Sequence, residues 1–227
     1  MSTAASLAPA DLTTSEQESI ARRAAFGSDL SILSEIYQPD VNLSVWNRAI
    51  DPALKCEAEA LIASDPSFQK SLGMRADQAP AALQNFFPKQ NYDALRADIL
   101  WLIDAFSYLF DLRGVGLRLA VLDKAMCPKF HVDKVPCRLI TTYTGVATEW
   151  LPHDRVNRRF LGPGAPTVVG SAPGICESGD IELLETGAVA LLKGESWEGN
   201  EGCGLVHRSP SISDGRKRLL LTIDFGS

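Results

Sequence analysis

Residues 126–145 read MCPKFHVDKVPCRLITTYTG, and the interpretation of the C-terminal half depends on His131-Val132-Asp133 at the centre of this stretch. On an extended strand alternate side chains share a face, with Cα atoms about 6.6 Å apart, so His131 and Asp133 can reach one cation. An ordinary polar pair gives the same spacing. The stretch therefore predicts two ligands of a metal site, with a polar contact as the alternative.

The sequence after Gly116 is typical of an antiparallel β domain. Short apolar runs are separated by Gly, Pro and Asp, and no long amphipathic helix lies between them. This pattern favours an antiparallel sandwich or a jelly-roll barrel. The predicted strands are LRLAVLD, KFHVD, RLITTYTG, TVVG, AVALLKG, GLVHR and RLLLTIDF.

The sequence before this half is mostly helical in pattern. A capping-box spacing at Ser15 precedes IARRAA, and Asp51-Pro52 provides an N-cap and a first-turn proline. YDALRADILWLIDAFSYLFDL has apolar residues at three- and four-residue spacing and is expected to end near Gly114, while VNLSVW predicts a short strand. We expect an α+β fold with a helical N-terminal region (1–113) packed on a jelly-roll metal-binding core (114–227), in one compact domain.

Composition and charge exclude several classes of protein. The 227 residues carry a formal net charge of -6, which argues against a nucleic-acid binder. The N-terminus does not resemble a signal peptide, and the longest apolar helical run, residues 99–103, is too short to span a bilayer. Five cysteines without a CxxC pair suit a reducing compartment. We expect a soluble cytoplasmic protein without membrane or nucleic-acid partners.

A third ligand is available downstream. The chain has three histidines, and His207 lies in the strand-like run GLVHRSP. Two histidines and one carboxylate form the facial triad that holds ferrous iron and leaves coordination positions open. His131, Asp133 and His207 are therefore the predicted metal ligands.

A zinc site is the rival interpretation. Cys127 and Cys203 each precede a histidine by four residues, which resembles half of a Cys2His2 site. On an extended strand that spacing separates the two residues by about 13 Å, too far for one ion. Pro128 can bend the first segment, so the zinc site stays an alternative. A small buried apolar side chain is the expected role of each cysteine.

Two arginines follow His207 on the final strand. Arg216 and Arg218 are expected on one face, and a guanidinium can bind a carboxylate through two parallel hydrogen bonds. The alternative for either arginine is that it only flanks an edge strand. The irregular segment 161–180, rich in Gly and Pro, is expected to be either a lid or a plain loop.

HVDKVPCRLITTY, ALLKGESW and GLVHRSPSISDGRKRLLLTIDF together resemble the iron(II)- and 2-oxoglutarate-dependent oxygenases of the prolyl-hydroxylase type. The resemblance covers roughly residues 116–227 and implies a double-stranded β-helix with HxD...H...R in this order. His131, Asp133 and His207 match its iron ligands. Arg218 matches the arginine that anchors 2-oxoglutarate, with Arg216 as second choice. Tyr143 matches a position that contacts the cosubstrate, although a buried core tyrosine is the alternative.

CPKFHVDKVPCRLITTYTGVATEWL, LLKGESWEGN and VHRSP are more closely similar to a bacterial family of uncharacterised proteins, domain of unknown function 1826. This resemblance covers nearly the whole chain and implies no function by itself. The resulting hypothesis is an Fe(II)- and 2-oxoglutarate-dependent oxygenase that hydroxylates an unknown small molecule or protein side chain. The alternative is a non-catalytic jelly roll that holds zinc or another divalent metal for sensing or homeostasis.

Overall fold

The computed structural model of the protein describes residues 21–87, 92–161, 174–213 and 215–226. The predicted capping box at Ser15, the strand TVVG and most of the segment 161–180 lie outside the described residues. In chain order the strands are β1 (Arg23–Gly27), β2 (Val41–Trp46), β3 (Gln69–Arg75), β4 (Gly114–Leu122), β5 (Cys137–Thr144), β6 (Glu149–Leu151), β7 (Glu182–Leu183), β8 (Val189–Lys193), β9 (Val206–Arg208) and β10 (Arg218–Phe225). The α-helices are α1 (Pro52–Ser64), α2 (Ala79–Leu83) and α3 (Asp93–Phe110).

Two sheets organise the described residues. The large sheet has seven strands in the order β1-β2-β8-β5-β10-β4-β3, and the small sheet has three in the order β7-β6-β9. Neighbouring strands are antiparallel except β1 and β2. Three strands of the large sheet come from before residue 114, so the N-terminal region completes the sheet as well as covering it.

The central strands of the large sheet are buried on both faces, whereas the edge strand β3 is mostly exposed. The helices pack on one face, where Ile99 and Phe106 of α3 meet Leu221 and other apolar residues of the strands. The small sheet packs on the other face, where Trp150 of β6 meets Ile140 of β5. This order of layers, helices then large sheet then small sheet, leaves a narrow space between the sheets for a site.

The helical predictions are confirmed for α1 and α3. The Asp51 carboxylate accepts a hydrogen bond from the backbone N–H of Ala53, which caps α1 as the sequence predicts. In α3, the apolar positions Leu95, Ile99, Leu102 and Phe106 are buried. The amphipathic pattern therefore identified the helix face that covers the large sheet.

The predicted strand VNLSVW is confirmed as β2, whereas two other N-terminal predictions are wrong. The run IARRAA contributes to strand β1 rather than a helix, because its pairing with β2 outweighs the helical preference of Ala and Arg. α3 ends at Phe110 instead of near Gly114, with Asp111 in the left-handed conformation (φ 51°), and Gly114 begins β4. No helix among the described residues is long and apolar enough to cross a membrane.

The C-terminal strand predictions are mostly confirmed. β4, β5, β8, β9 and β10 fall on five of the predicted runs. KFHVD is different, because it forms only a single bridge, at His131, opposite His207.

Candidate metal centre

The two histidines are held side by side by the backbone. His131 and His207 exchange two backbone hydrogen bonds, each with an N···O distance of 3.0 Å, in an antiparallel bridge beside β9. Their ring centroids are 4.5 Å apart. The backbone bridge thus places the two histidines directly opposite each other.

Asp133 completes a set of three ligands. Its Oδ1 lies 3.8 Å from Nε2 of His131, and its Oδ2 lies 3.5 Å from Nε2 of His207. One ligand atom of each residue lies within 4.8 Å of the others. Two imidazole nitrogens and a carboxylate oxygen at these separations can bind one cation.

Hydrogen bonds fix the tautomer of each imidazole. Nδ1 of His131 lies 2.9 Å from the carbonyl oxygen of Lys129, and Nδ1 of His207 lies 3.2 Å from that of Leu205. A carbonyl oxygen only accepts, so the proton of each neutral ring is on Nδ1 and the lone pair is on Nε2. Burial lowers the pKa of His207 to about 4, against the opposing effect of Asp133, so this ring is neutral at pH 7.

An arginine that sequence reasoning missed orients the carboxylate. Arg138 on β5 donates a hydrogen bond to Oδ2 of Asp133 at 2.8 Å. It also binds both oxygens of Asp224 on β10, at 2.7 and 3.0 Å. Arg138 follows Asp133 by five residues and is the only charged residue of β5 (CRLITTYT), and a charge within such a buried strand was the available signal.

Arg218 is a buried cation at the start of β10. It is 1% exposed, and its Nη atoms have only long contacts, 3.3 Å to the carbonyl oxygen of Val146 and 3.4 Å to the hydroxyl of Ser209. Its Nε has no hydrogen-bond partner. No carboxylate of the described residues forms an ion pair with it. Burial lowers the pKa of Arg218 to about 10, so the group stays charged at neutral pH.

One cavity joins Arg218 to the histidines. It lies between the two sheets, has a volume of about 50 Å³ and is lined by His131, His207, Ser209 and Arg218. The geometry therefore brings together the candidate metal ligands and one of the two predicted arginines.

The other predicted site residues lie elsewhere. Arg216 is exposed in the turn before β10, because the strand begins only at Arg218. Tyr143 is buried among the helices on the opposite face of the large sheet, where its hydroxyl donates to Asp98 at 2.8 Å. The period of two along β5 turns Tyr143 away from the cavity that Arg138 and Ile140 face, which corrects the expected cosubstrate contact.

The cysteines lie outside the ligand set. Cys203 is buried as expected, whereas Cys127 is exposed at the wall of the cavity, which corrects its expected core position. Among the described residues, the group close enough to share an ion contains neither cysteine.

Solved structures with a similar fold are dioxygenases. The dioxygenase for auxin oxidation from rice is 11% identical, with a TM-score of 0.50 over 91% of this chain and 83% of that chain. Dioxygenase for auxin oxidation 1 from Arabidopsis thaliana, solved as a complex with 2-oxoglutarate, is 10% identical, with a TM-score of 0.51 over 91% and 93%. A Pseudomonas putida prolyl-4-hydroxylase is 13% identical, with a TM-score of 0.45 over 86% and 97%. The likeness to the two auxin dioxygenases, at 10–11% identity, establishes the fold alone.

The sequence itself matches one family. The model of a family described as "Protein of unknown function (DUF1826)" matches residues 27–224. No curated protein matches the chain.

Proposed function

This chain belongs to the DUF1826 family, proteins of unknown function, and we propose that it is an iron(II)- and 2-oxoglutarate-dependent oxygenase. The observation that carries the proposal is that one cavity is lined by His131, His207 and the buried Arg218, while Asp133 lies within 3.8 Å of both imidazoles. The fold shared with the two auxin dioxygenases supports it, as does the 2-oxoglutarate bound to the Arabidopsis protein.

The ligand set suits ferrous iron. Two imidazole nitrogens and one carboxylate oxygen occupy one side of the ion and leave positions for other ligands. His131 and His207 would bind through Nε2, because their Nδ1 atoms are engaged with backbone carbonyls. Asp133 would bind through a carboxylate that Arg138 holds in place.

Arg218 suits the far carboxylate of 2-oxoglutarate. A buried guanidinium without an acidic partner among the described residues is costly, and a bound carboxylate would compensate that cost. Ser209, whose hydroxyl lies beside Nη2, provides a further hydrogen-bonding group at the same position. Arg216 is too exposed for this role and is not proposed for it.

These positions indicate what the protein would contribute and what the bound metal and cosubstrate would contribute. Bound iron with 2-oxoglutarate would supply the oxidising chemistry of the reaction. The protein would fix both histidine tautomers, orient the carboxylate of Asp133, neutralise the cosubstrate with Arg218 and exclude water between the sheets.

Anaerobic titration of metal-free protein with Fe(II) and then 2-oxoglutarate tests the proposal. We expect a charge-transfer absorption band, and succinate release once oxygen is admitted. Arg218→Gln should weaken 2-oxoglutarate binding by about tenfold or more, because it removes a charged hydrogen-bond donor, while Arg216→Gln should match wild type. No band and no succinate from the wild-type protein would refute the proposal.

The small cavity favours a second candidate function. A volume of about 50 Å³ admits an ion more readily than a five-carbon acid, so the same residues suit a protein that holds zinc or another divalent metal without a cosubstrate. That candidate predicts tight zinc binding and no effect of 2-oxoglutarate on the bound metal. The titration therefore separates the two functions.

A further inference from the structure

A second cavity opens beside the metal centre, on the same face of the large sheet. It has a volume of about 420 Å³ and is formed mainly by residues of β3, β4 and β10. Met126, Arg138 and Thr222 line both this groove and the metal cavity. The groove therefore leads along the sheet to the candidate metal centre. Its volume lies within the range usual for small-molecule sites.

Two glycines form the floor of the groove. Gly73 of β3 and Gly116 of β4 are paired across the sheet, and Gly116 is paired in turn with Asp224 of β10. A Cβ atom on Gly73 would meet nothing within 4 Å, and one on Gly116 would meet only the Cβ of Asp224 at 4.0 Å. Packing does not require glycine at either position. Their effect is to leave space above the sheet.

The same cross-strand row continues to the metal ligands. Asp224 is paired with Arg138 on β5, and the Arg138 guanidinium binds Asp133. A ligand lying over the two glycines would thus meet the Asp224–Arg138 pair at the metal end of the groove. Strands are about 4.8 Å apart, so a four-strand row extends over roughly 14 Å.

Arg118 supplies a positive charge in the wall. It lies on β4 two residues beyond Gly116, on the same face, and is paired with Ser71 on one side and Thr222 on the other. Its Nε is buried without a hydrogen-bond partner, and no carboxylate of the described residues forms an ion pair with it. A guanidinium placed in this way is suited to an anionic group of a ligand.

We propose that this groove binds the primary substrate as a small organic acid, with its carboxylate on Arg118 and its body over the floor formed by the two glycines, so that its far end passes Gly116 toward the metal centre. Oxidation of the bound acid rests on the proposed oxygenase function, whereas binding of the acid in the groove does not. Ser71 adds a hydroxyl at the carboxylate end, and Thr222 lies between Arg118 and the metal cavity.

Another depression of the described surface, larger than the groove, fits a charged ligand less well. It has a volume of about 890 Å³ and includes Arg155 and Arg158. Arg155 already lies within 3.7 Å of Asp180, and Arg158 donates to the carbonyl oxygen of Gly204 at 2.8 Å. No predicted metal ligand lines it, so a substrate bound there would be separated from the reacting centre.

Binding of defined probes to 15N-labelled, metal-free protein tests the groove. The probes are hexanoate, octanoate, benzoate and hydrocinnamate, each compared with its neutral primary amide. We expect at least one acid to shift the backbone amide signals of Gly73, Gly116 and Arg118, and to bind about tenfold more tightly than its amide, as for a charged hydrogen bond. If no acid shifts these signals, or if acid and amide bind equally, the proposal is wrong.

Variants identify the residues responsible. Arg118→Gln should remove the preference for acid over amide, and Arg118→Lys should restore part of it. Gly73→Val should block acid and amide alike, because its side chain fills the floor while suiting a strand. The matched controls are Arg113→Gln and Gly179→Val, both outside the groove, which should bind as wild type does.

The binding of acids to the groove is measured independently of the proposed oxygenase activity. The charge-transfer band of the wild-type protein reports on iron and 2-oxoglutarate, whereas the amide shifts report on the groove. Shifts without a band would support the groove and refute the oxygenase. A band with unchanged acid binding in Arg118→Gln would refute the role of Arg118 in the groove and leave the oxygenase standing.

Discussion

The carboxylate of Asp133 accepts a hydrogen bond from Arg138 at 2.8 Å, and Arg138 is itself held by both oxygens of Asp224. A candidate metal ligand is therefore positioned by a neighbouring strand of the large sheet. Mutation of a group that orients a metal ligand typically lowers metal affinity or activity by about 10- to 100-fold. The arrangement also connects the metal centre to the groove, since Arg138 lines both.

Arg138→Gln should weaken Fe(II) or Mn(II) binding by about tenfold or more, because the Asp133 carboxylate loses the group that fixes its orientation. Calorimetric titration of the metal-free protein measures the effect, with Arg113→Gln as an exposed control. Equal or tighter metal binding in Arg138→Gln would show that the arginine does not position the ligand.

Removal of the Tyr143 hydroxyl should affect stability and leave cosubstrate binding intact. Tyr143 donates to Asp98, which also pairs with Arg48, so Tyr143→Phe should lower the free energy of unfolding by about 1 kcal/mol. Urea denaturation measures the loss, and a 2-oxoglutarate titration provides the second readout. A tenfold loss of 2-oxoglutarate affinity with unchanged stability would instead support the sequence-based prediction for this tyrosine.

The metal-free protein should lose stability in mild acid because of His207. Its folded-state pKa is about 4, below the value of about 6.5 expected when unfolded, so the unfolded state binds more protons between these values. The free energy of unfolding should therefore fall as pH falls from about 6.5 to about 4, by at most about 3 kcal/mol from this residue.

Denaturation with a chelator present, at several pH values, measures this dependence. His207→Gln should show a smaller decrease over the same interval, because glutamine does not titrate. Identical pH dependence in the variant and the wild type would show that His207 does not contribute.

The cysteines should not contribute to metal affinity. Cys127→Ser and Cys203→Ser, alone and together, should bind zinc as wild type does, since neither thiol belongs to the three-residue ligand set. Competition with a chromogenic chelator measures the affinity, and His131→Ala is the positive control for loss. Weaker zinc binding in a folded serine variant would require a different ligand set.

The sequence predicted most of the C-terminal strands and the closeness of His131 to Asp133, whereas the role of these residues as metal ligands stays a prediction. Residues two apart on an extended chain share a face, which predicted that His131 and Asp133 lie close together. The backbone pairing of His131 with His207 could not be predicted from local spacing, because the two residues are 76 positions apart. On an ideal strand Arg216 and Arg218 lie on the same face, so the sequence alone does not distinguish them. Only the start of β10 separates the buried one from the exposed one.

The N-terminal strands show why local propensity was insufficient. β1 contains Ala and Arg, which favour a helix, and it is a strand because it pairs with β2. The local sequence of β1 does not indicate this pairing. Tyr143 shows a different difficulty, because the sequence does not say which face of β5 lies toward the metal centre. Only the position of Arg138 in the structure shows that Tyr143 lies on the opposite face. The groove over Gly73 and Gly116 likewise depends on the pairing of β3 with β4.

The most direct test of the central claim is a crystal structure of the protein grown anaerobically with Mn(II) and 2-oxoglutarate, with the metal located by anomalous scattering. We predict one ion within about 2.2 Å of Nε2 of His131, Nε2 of His207 and a carboxylate oxygen of Asp133, as is usual for such ligands. The far carboxylate of 2-oxoglutarate should lie on the guanidinium of Arg218. An ion bound elsewhere, or 2-oxoglutarate bound away from Arg218, would contradict the account.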